Sequence, residues 1–153
     1  MLLQGTLKGA GNLLSTEDFL KYLAEQVPGG HYFMVRPPQG IIMTGAVDWR
    51  AVLPDASLLG AVAGALWHSY EHIAKTVQAE GVPASSGIFV QLKNEKGEFD
   101  QFVIGKEVKE RAALEHRLAE SARILHDGDG AAAGELEVRK TVSSGFWTRI
   151  ERG

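Results

Sequence analysis

Charged side chains are distributed unevenly along this chain of 153 residues, and their distribution constrains the fold more than any other feature of the sequence. Residues 1–80 carry 12 Asp, Glu, Lys and Arg side chains, whereas residues 81–153 carry 23. Between Gln26 and Val47 the only charged residue is Arg36. Because charged side chains are rarely buried, we expect the first half to supply most of the core and any apolar interface. The second half should form most of the solvated exterior.

The first half of the chain predicts one helix followed by one hairpin. Residues 16–27 carry an apolar stripe at helical spacing, which Ser15 can cap and Pro28 ends. Two β-rich runs, 31–36 and 41–49, flank a turn rich in proline and glycine, which is typical of a β-hairpin. Both faces of these runs are nearly apolar. We therefore expect a central strand pair that is covered on both sides, by this chain or by a second subunit.

A long central helix is predicted from Asp55 or Ser57 to about Gly81. Its apolar residues recur at spacings of three and four and so lie on one stripe: Leu59, Val62, Leu66, Tyr70, Ile73 and Val77. The remaining positions in its first half are mostly alanine and glycine, which allow another part of the chain to approach closely. We therefore expect this helix to lie at the centre of the fold.

The second half predicts a clearer hairpin, a third helix and a third hairpin. In residues 87–93 and 98–104 apolar and polar residues alternate, which indicates strands with one buried and one solvated face. Residues 106–126 carry an apolar seam at helical spacing. The glycine-rich residues 127–134 predict a flexible connector to a C-terminal hairpin over residues 135–150.

Together these elements predict a single α+β domain over residues 1–153. The expected order is α-ββ-α-ββ-α-ββ, in which three hairpins form an antiparallel sheet of five to six strands and about three helices pack on it. A chain of this length buries enough surface to fold without a metal or a disulfide. The absence of cysteine excludes a thiol nucleophile and a cysteine-ligated metal site.

The charge balance and the hydropathy pattern argue against nucleic-acid and membrane binding. The chain has 16 Lys and Arg against 19 Asp and Glu, without the basic patch that phosphate binding usually requires. The longest uncharged stretch in a predicted helix, 56–70, is shorter than the roughly 20 residues that cross a bilayer. The N-terminal residues do not follow the pattern of a targeting segment. We therefore expect a cytoplasmic protein without nucleic-acid or membrane partners.

The string His-Ser-Tyr-Glu-His at residues 68–72 fits the pattern H-x-x-E-H. Histidines four residues apart present two imidazoles on one helix face, and an intervening glutamate can act as a base on metal-bound water. Over these five residues the chain resembles the inverzincins, which implies a zinc site formed by His68, Glu71 and His72. That family takes a further glutamate from a later helix of a larger domain, a pattern from which this chain departs. The alternative interpretation is a solvated helix face or a partner contact.

Five further residues are candidates for ligand or partner contacts. In the predicted last strand, Trp147 and Arg149 share one face, opposite the residues expected to enter the core. Trp67 lies at the edge of the central helix stripe, and Tyr32 and Met34 belong to the nearly uncharged first hairpin. Tryptophan, tyrosine and arginine are enriched at binding hot spots. The alternative interpretation is that these strands are packed on both sides and that the residues are structural.

Three functional hypotheses follow from the sequence. The preferred one is a non-enzymatic binding or protein-interaction module, without a cofactor, that uses an apolar sheet face or cleft. Its partner would be a protein or a small apolar ligand, and it would act alone or as a homodimer. The second hypothesis is a zinc-dependent hydrolase built on residues 68–72. The third is a small-molecule enzyme whose histidine and glutamate side chains are brought together by the fold.

Overall fold

The computed structural model describes residues 1–8, 13–35, 47–54, 56–79, 87–94, 96–125 and 131–151. These residues form six strands and four α-helices, which confirms the α+β class. In chain order the elements are β1 Leu2–Lys8, α1 Leu13–Gln26, β2 His31–Val35, β3 Trp49–Val52, α2 Leu59–Ala79, β4 Gly87–Lys93, β5 Phe99–Ile104, α3 Arg111–Ile124, α4 Ala131–Ser143 and β6 Trp147–Ile150.

The six strands form one antiparallel sheet in the order β5-β4-β1-β3-β2-β6. The predicted hairpin of β4 and β5 is confirmed. β2 pairs with β3, as the first predicted hairpin requires, although residues 36–46 of that prediction lie outside the described residues. β1 was absent from the predicted elements, yet it lies in the middle of the sheet, between β3 and β4. α1 begins at Leu13, so Ser15 lies inside the helix and not at its cap.

The two faces of the sheet are covered by different helices, because successive side chains of a strand point to opposite faces. One face packs against α1, α2 and α3 and forms the main core, which includes Leu3, Met34, Trp49, Val90 and Phe102. The opposite face, which we call the second face, carries a smaller apolar cluster of Leu2, Phe33 and Val52. Val138 of α4 and Trp147 of β6 pack against this smaller cluster. In the described part of the chain, the sheet therefore has three helices on one side and α4 on the other.

The prediction of a third hairpin over residues 135–150 is wrong, because residues 131–143 form α4 and only β6 matches a predicted strand. The alternation of Leu136 and Val138 suggested a strand, but Leu136 is exposed and Val138 faces the sheet. Thr141, three residues after Val138, is buried on the same side of the helix. The predicted connector over residues 127–134 is also wrong in its second half, because residues 131–134 belong to α4. Residues 127–130 lie outside the described residues.

Asp100 of β5 anchors α3 to the sheet. The guanidinium of Arg117 donates two hydrogen bonds of 2.9 Å to the two oxygens of the Asp100 carboxylate. The buried hydroxyl of Ser121 donates to the same carboxylate. The hydrogen bond from Arg117, more than any other interaction, lowers the pKa of Asp100 to about 2.

The outer edge of β5 is occupied by groups from the residues that follow it. The main-chain amide of Val103 donates to the carboxylate of Glu107. The carbonyl of Val103 accepts hydrogen bonds from the amides of residues 106–108, and Arg117 Nη2 donates to the Gln101 carbonyl at 3.2 Å. The prediction that a helix begins at residue 106 is therefore wrong by one turn. Residues 106–108 instead form hydrogen bonds along the outer edge of β5, and α3 begins at Arg111.

A membrane-spanning helix needs about 20 predominantly apolar residues, and none of the helices in the described part of the chain meets this requirement.

Candidate functional site

The second face of the sheet is divided into two halves. α4 packs against β3 and β6. The other half is formed by β5, β4 and β1, whose side chains on this face lie side by side in register. We call this half the amide half-face and define it by Gln4, Thr6, Phe89, Gln91, Lys93, Phe99, Gln101 and Val103. Phe99 and Gln101 are exposed and the other six are half-buried.

Three glutamines form a hydrogen-bonded row across the amide half-face. Gln4 Nε2 donates to Gln91 Oε1 at 2.6 Å, and Gln91 Nε2 donates to Gln101 Oε1 at 3.3 Å. At the inner end of the row, Arg50 Nη2 donates to Gln4 Oε1 at 3.3 Å. A guanidinium has donors but no acceptor. Gln4 must therefore turn its side-chain oxygen toward Arg50 and its amide nitrogen toward Gln91. Gln91 and Gln101 follow the same orientation, because each accepts through its side-chain oxygen from the glutamine before it.

The glutamine row can offer hydrogen bonds to a bound molecule. A glutamine amide has two N–H donors and an oxygen with two lone pairs. The bonds within the row use one donor and one lone pair of Gln4 and Gln91. The row thus presents alternating donors and acceptors at the spacing of the strands, which is about 4.8 Å.

Apolar side chains flank the glutamine row on both sides. Phe89 lies opposite Thr6 on one neighbouring strand and Val103 on the other, which places the three in one row. On the other side of the glutamines, Phe99 lies opposite Lys93. The side chain of Phe99 is 52% exposed. The amide half-face is thus a polar stripe between two partly apolar rows.

Arg50 connects the glutamine row to α4. Its Nη1 donates to the hydroxyl of Thr141 at 2.8 Å and lies 3.6 Å from Glu137 Oε1. Its guanidinium also lies over the ring of Trp147, 4.5 Å from the centroid, in a cation–π contact. Burial lowers the pKa of Arg50, and Glu137 opposes that effect. A half-buried cation is therefore the main polar link between the sheet and α4.

Trp147 and Arg149 lie on the second face, as their alternation along the last strand predicts, whereas Ile150 enters the main core. Trp147 is half-buried against Arg50. The guanidinium of Arg149 lies 5.8 Å from the ring centroid of Phe33 and contacts the His31 imidazole. Burial, together with the charge of Arg149, lowers the pKa of His31. Contact of Trp147 or Arg149 with a partner stays a prediction.

Two of the predicted contact residues are core residues. Tyr32 is 2% exposed and donates from its hydroxyl to the Val27 carbonyl at 2.7 Å. Burial raises the pKa of Tyr32. Met34 belongs to the same buried cluster. In this arrangement neither residue offers a surface to a ligand or partner. Trp67 is half-buried on α2, with its ring 5.1 Å from that of Tyr70.

The histidines of the H-x-x-E-H string lie on the exposed side of α2. His68 stacks on Tyr22 of α1, with 5.1 Å between the ring centroids. Glu71 and His72 are also exposed. Within the described residues, no group of three or more His, Cys, Asp or Glu side chains is arranged to hold a metal ion. The zinc site stays a prediction, with no third ligand identified among these residues.

A second surface feature is an open groove of about 550 Å³ between the start of α2 and α3. Its floor is formed by small and apolar side chains, and two opposite charges lie along α3 at its rim. It is lined by Ala56, Leu59, Gly60, Glu115, Ala119, Ala122 and Arg123.

Sequence reasoning missed Gln4 and Arg50 as parts of a site. The alternation of Gln91 and Gln101 with apolar residues did indicate that both point to the solvated face of their hairpin. Their connection to Gln4 depends on β1, which was not predicted as a strand.

No protein-family model, curated protein or solved structure matches this chain.

Proposed function

We propose that this protein is a non-enzymatic interaction module whose amide half-face binds a helix of a partner protein. The observation that carries the proposal is the division of the second face. α4 packs on one half, and the other half presents Phe89, Phe99 and Val103 around a row of oriented amides. A cytoplasmic location remains part of the proposal.

The dimensions of the amide half-face match one helix. Three adjacent strands span about 10 Å between the axes of the outer two, and a helix with its side chains is about 10–12 Å wide. β1 and β4 have seven residues each. Seven residues of strand extend about 23 Å, the length of about 15 helical residues. A partner helix lying beside α4 would therefore complete a second helical layer on the sheet.

The chemistry of the half-face defines the partner helix. Among its described side chains, Lys93 carries the one charge. A partner helix should therefore place apolar residues on Phe89 and Phe99 and neutral polar residues, such as Gln, Asn or Ser, on the glutamine row. A charged residue over the row would lose its hydration without an opposite charge to replace it. An exposed sheet face favours a helix over a small ligand, since small ligands usually bind in concave pockets.

Site-specific crosslinking tests the proposal. The chain has no cysteine, so Gln101→Cys provides a single attachment point for a photo-crosslinker on the half-face. We expect irradiation of the purified, labelled chain in a cell extract to join it to a partner protein, through peptides that map to an amphipathic helix. Introducing Phe99→Glu into this variant should abolish the crosslink, because the new carboxylate lies at the apolar edge of the surface.

The matched control is Phe146→Glu in the same Gln101→Cys background. Phe146 is 70% exposed and precedes β6, away from the half-face. Its substitution should leave the crosslink intact. Equal loss with both substitutions would refute the proposal. So would crosslinked peptides that map to an extended segment, to a second copy of this chain or to no protein at all.

A further inference from the structure

We infer that the groove between α2 and α3 is the interface with a second copy of this chain. In this arrangement the two α3 helices lie antiparallel across each other, with Ala119 at the two-fold axis. The groove lies among the helices on the opposite side of the sheet from the amide half-face. This inference is therefore independent of the proposed helix binding.

The charges along the groove are complementary to themselves. Glu115 and Arg123 both line it, four residues before and four residues after Ala119. On a helix, positions four residues away lie about 6 Å along the axis and are rotated by about 40°. Glu115 and Arg123 therefore flank Ala119 symmetrically. In an antiparallel pair about Ala119, each Glu115 faces Arg123 of the other copy, and a two-fold axis forms this contact twice.

The partners that these charges have within the chain do not prevent the pairing. Glu115 accepts from Arg111 Nε at 3.2 Å, and Arg123 pairs with Glu120. Both pairs join exposed residues of one helix, and such pairs contribute little to stability because water screens them. A guanidinium has five donors in a fork, so Arg123 can keep Glu120 while it contacts a second carboxylate.

The floor of the groove allows another helix to come close. Ala56, Gly60, Ala119 and Ala122 have no side-chain atoms beyond Cβ. A Cβ added at Gly60 would meet no atom within 4 Å, so the space above this glycine is empty. Packed helices lie about 8–10 Å apart, and small residues at the contact favour the short end of that range.

The size of the contact sets its expected strength. α3 has 14 residues and is therefore about 21 Å long. One helix pair with its flanks falls at the low end of interface areas, below the roughly 1,600 Å² of a standard interface. We therefore expect a dissociation constant in the micromolar range, so the dimer is best measured at high protein concentration.

Charge reversal, followed by sedimentation equilibrium over a concentration series, tests this geometry. Glu115→Arg alone and Arg123→Glu alone each place like charges opposite each other twice, so each should weaken dimerisation at least tenfold. In an equimolar mixture of the two variants, both contacts of the mixed dimer join opposite charges. The mixture should therefore associate as strongly as the unchanged chain, and so should the chain that carries both substitutions.

Two further variants separate the interface from general effects. Arg139→Glu on α4 changes the net charge as Arg123→Glu does, at an exposed position outside the groove, and should leave dimerisation unchanged. Gly60→Leu should abolish dimerisation and leave the chain folded with a melting temperature no lower than that of the unchanged chain, because leucine favours a helix over glycine and its Cβ meets no atom within 4 Å. An unchanged chain that is monomeric at millimolar concentration would overturn the inference. Single reversals that still dimerise, or a mixture that does not recover, would overturn it too.

Discussion

Replacing Arg50 by alanine tests whether this one side chain holds α4 on the sheet. Arg50 is 19% exposed and contacts α4 through Thr141 and Glu137. The apolar contact of α4 with the sheet is small, since Val138 is its one apolar side chain in the described cluster with Leu2, Phe33 and Val52. We expect Arg50→Ala to release α4 locally and to leave the main core folded.

The size of the effect follows from the contacts that are lost. Two contacts of Arg50 reach α4, a hydrogen bond of 2.8 Å to Thr141 and an ion pair of 3.6 Å with Glu137. Each contributes about 1 kcal/mol net. Part of this is offset, because the buried Nε of Arg50 lacks a hydrogen-bond partner among the described residues and removing it relieves about 1 kcal/mol. The expected loss is about 1 kcal/mol in the free energy that keeps α4 docked.

Hydrogen exchange of individual amides measures this loss directly. A change of about 1 kcal/mol increases the population of the open form about fivefold. We expect the amides of α4 to exchange faster by that factor and the amides of α2 to keep their protection. Arg149→Ala is the control, because it also removes a guanidinium from the second face. The guanidinium of Arg149 lies over Phe33 and pairs with Glu151, and neither residue belongs to α4. Unchanged exchange in α4, or the same change in both variants, would refute the reasoning.

Two further predictions concern the stability of the fold. Asp100 has a folded pKa of about 2, below the ordinary value of 3.8, so its stabilising contribution is present above about pH 4 and is lost as the pH falls to about 2. The Asp100 side chain is 34% exposed, so screening reduces its contribution to about 1 kcal/mol. Asp100→Asn should lower the unfolding free energy by that amount at pH 7 in urea titrations, and a difference that persists below pH 2 would contradict this cause. Gly5→Ala should cost at least about 3 kcal/mol or prevent folding, because the new Cβ would lie 1.8 Å from the Phe89 carbonyl oxygen. Gly60→Ala is its control and should be stabilising by about 0.5–1 kcal/mol, since its Cβ meets nothing within 4 Å.

The pattern of apolar and polar residues in the sequence predicted an element correctly where the burial of that element in the fold follows the same pattern. β4 and β5 alternate between one buried and one solvated face, and both occur where this alternation predicts them. α4 was mistaken for a strand because Leu136 and Val138 alternate with charged residues, although only Val138 faces the sheet. β1 was missed because Gly5 interrupts its pattern. That glycine is required by the close approach of β4, a contact that no local pattern records.

The candidate site was less predictable than the fold, because its residues come from distant parts of the chain. Gln4 and Gln91 are 87 residues apart in sequence, and the pairing of β1 with β4 brings them together. The importance of Arg50 depends on α4, whose position on the second face follows from tertiary packing. The small residues around Gly60 predict a close approach to the start of the central helix, and this stays a prediction, since a Cβ added at Gly60 would meet no atom within 4 Å.

The closed edge of β5 has a consequence for the behaviour of this protein at high concentration. An edge strand with unpaired amides and carbonyls can recruit a strand from another molecule and start an aggregate. At β5 an incoming strand would have to break the bond between Val103 and Glu107 and displace Arg117 from the Gln101 carbonyl. Arg117 is also the residue that anchors α3 through Asp100. Loss of the Arg117 side chain would weaken the attachment of α3 to the sheet and also expose the edge of β5 to a strand from another molecule. The stability of the fold and its resistance to aggregation therefore depend on the same side chain.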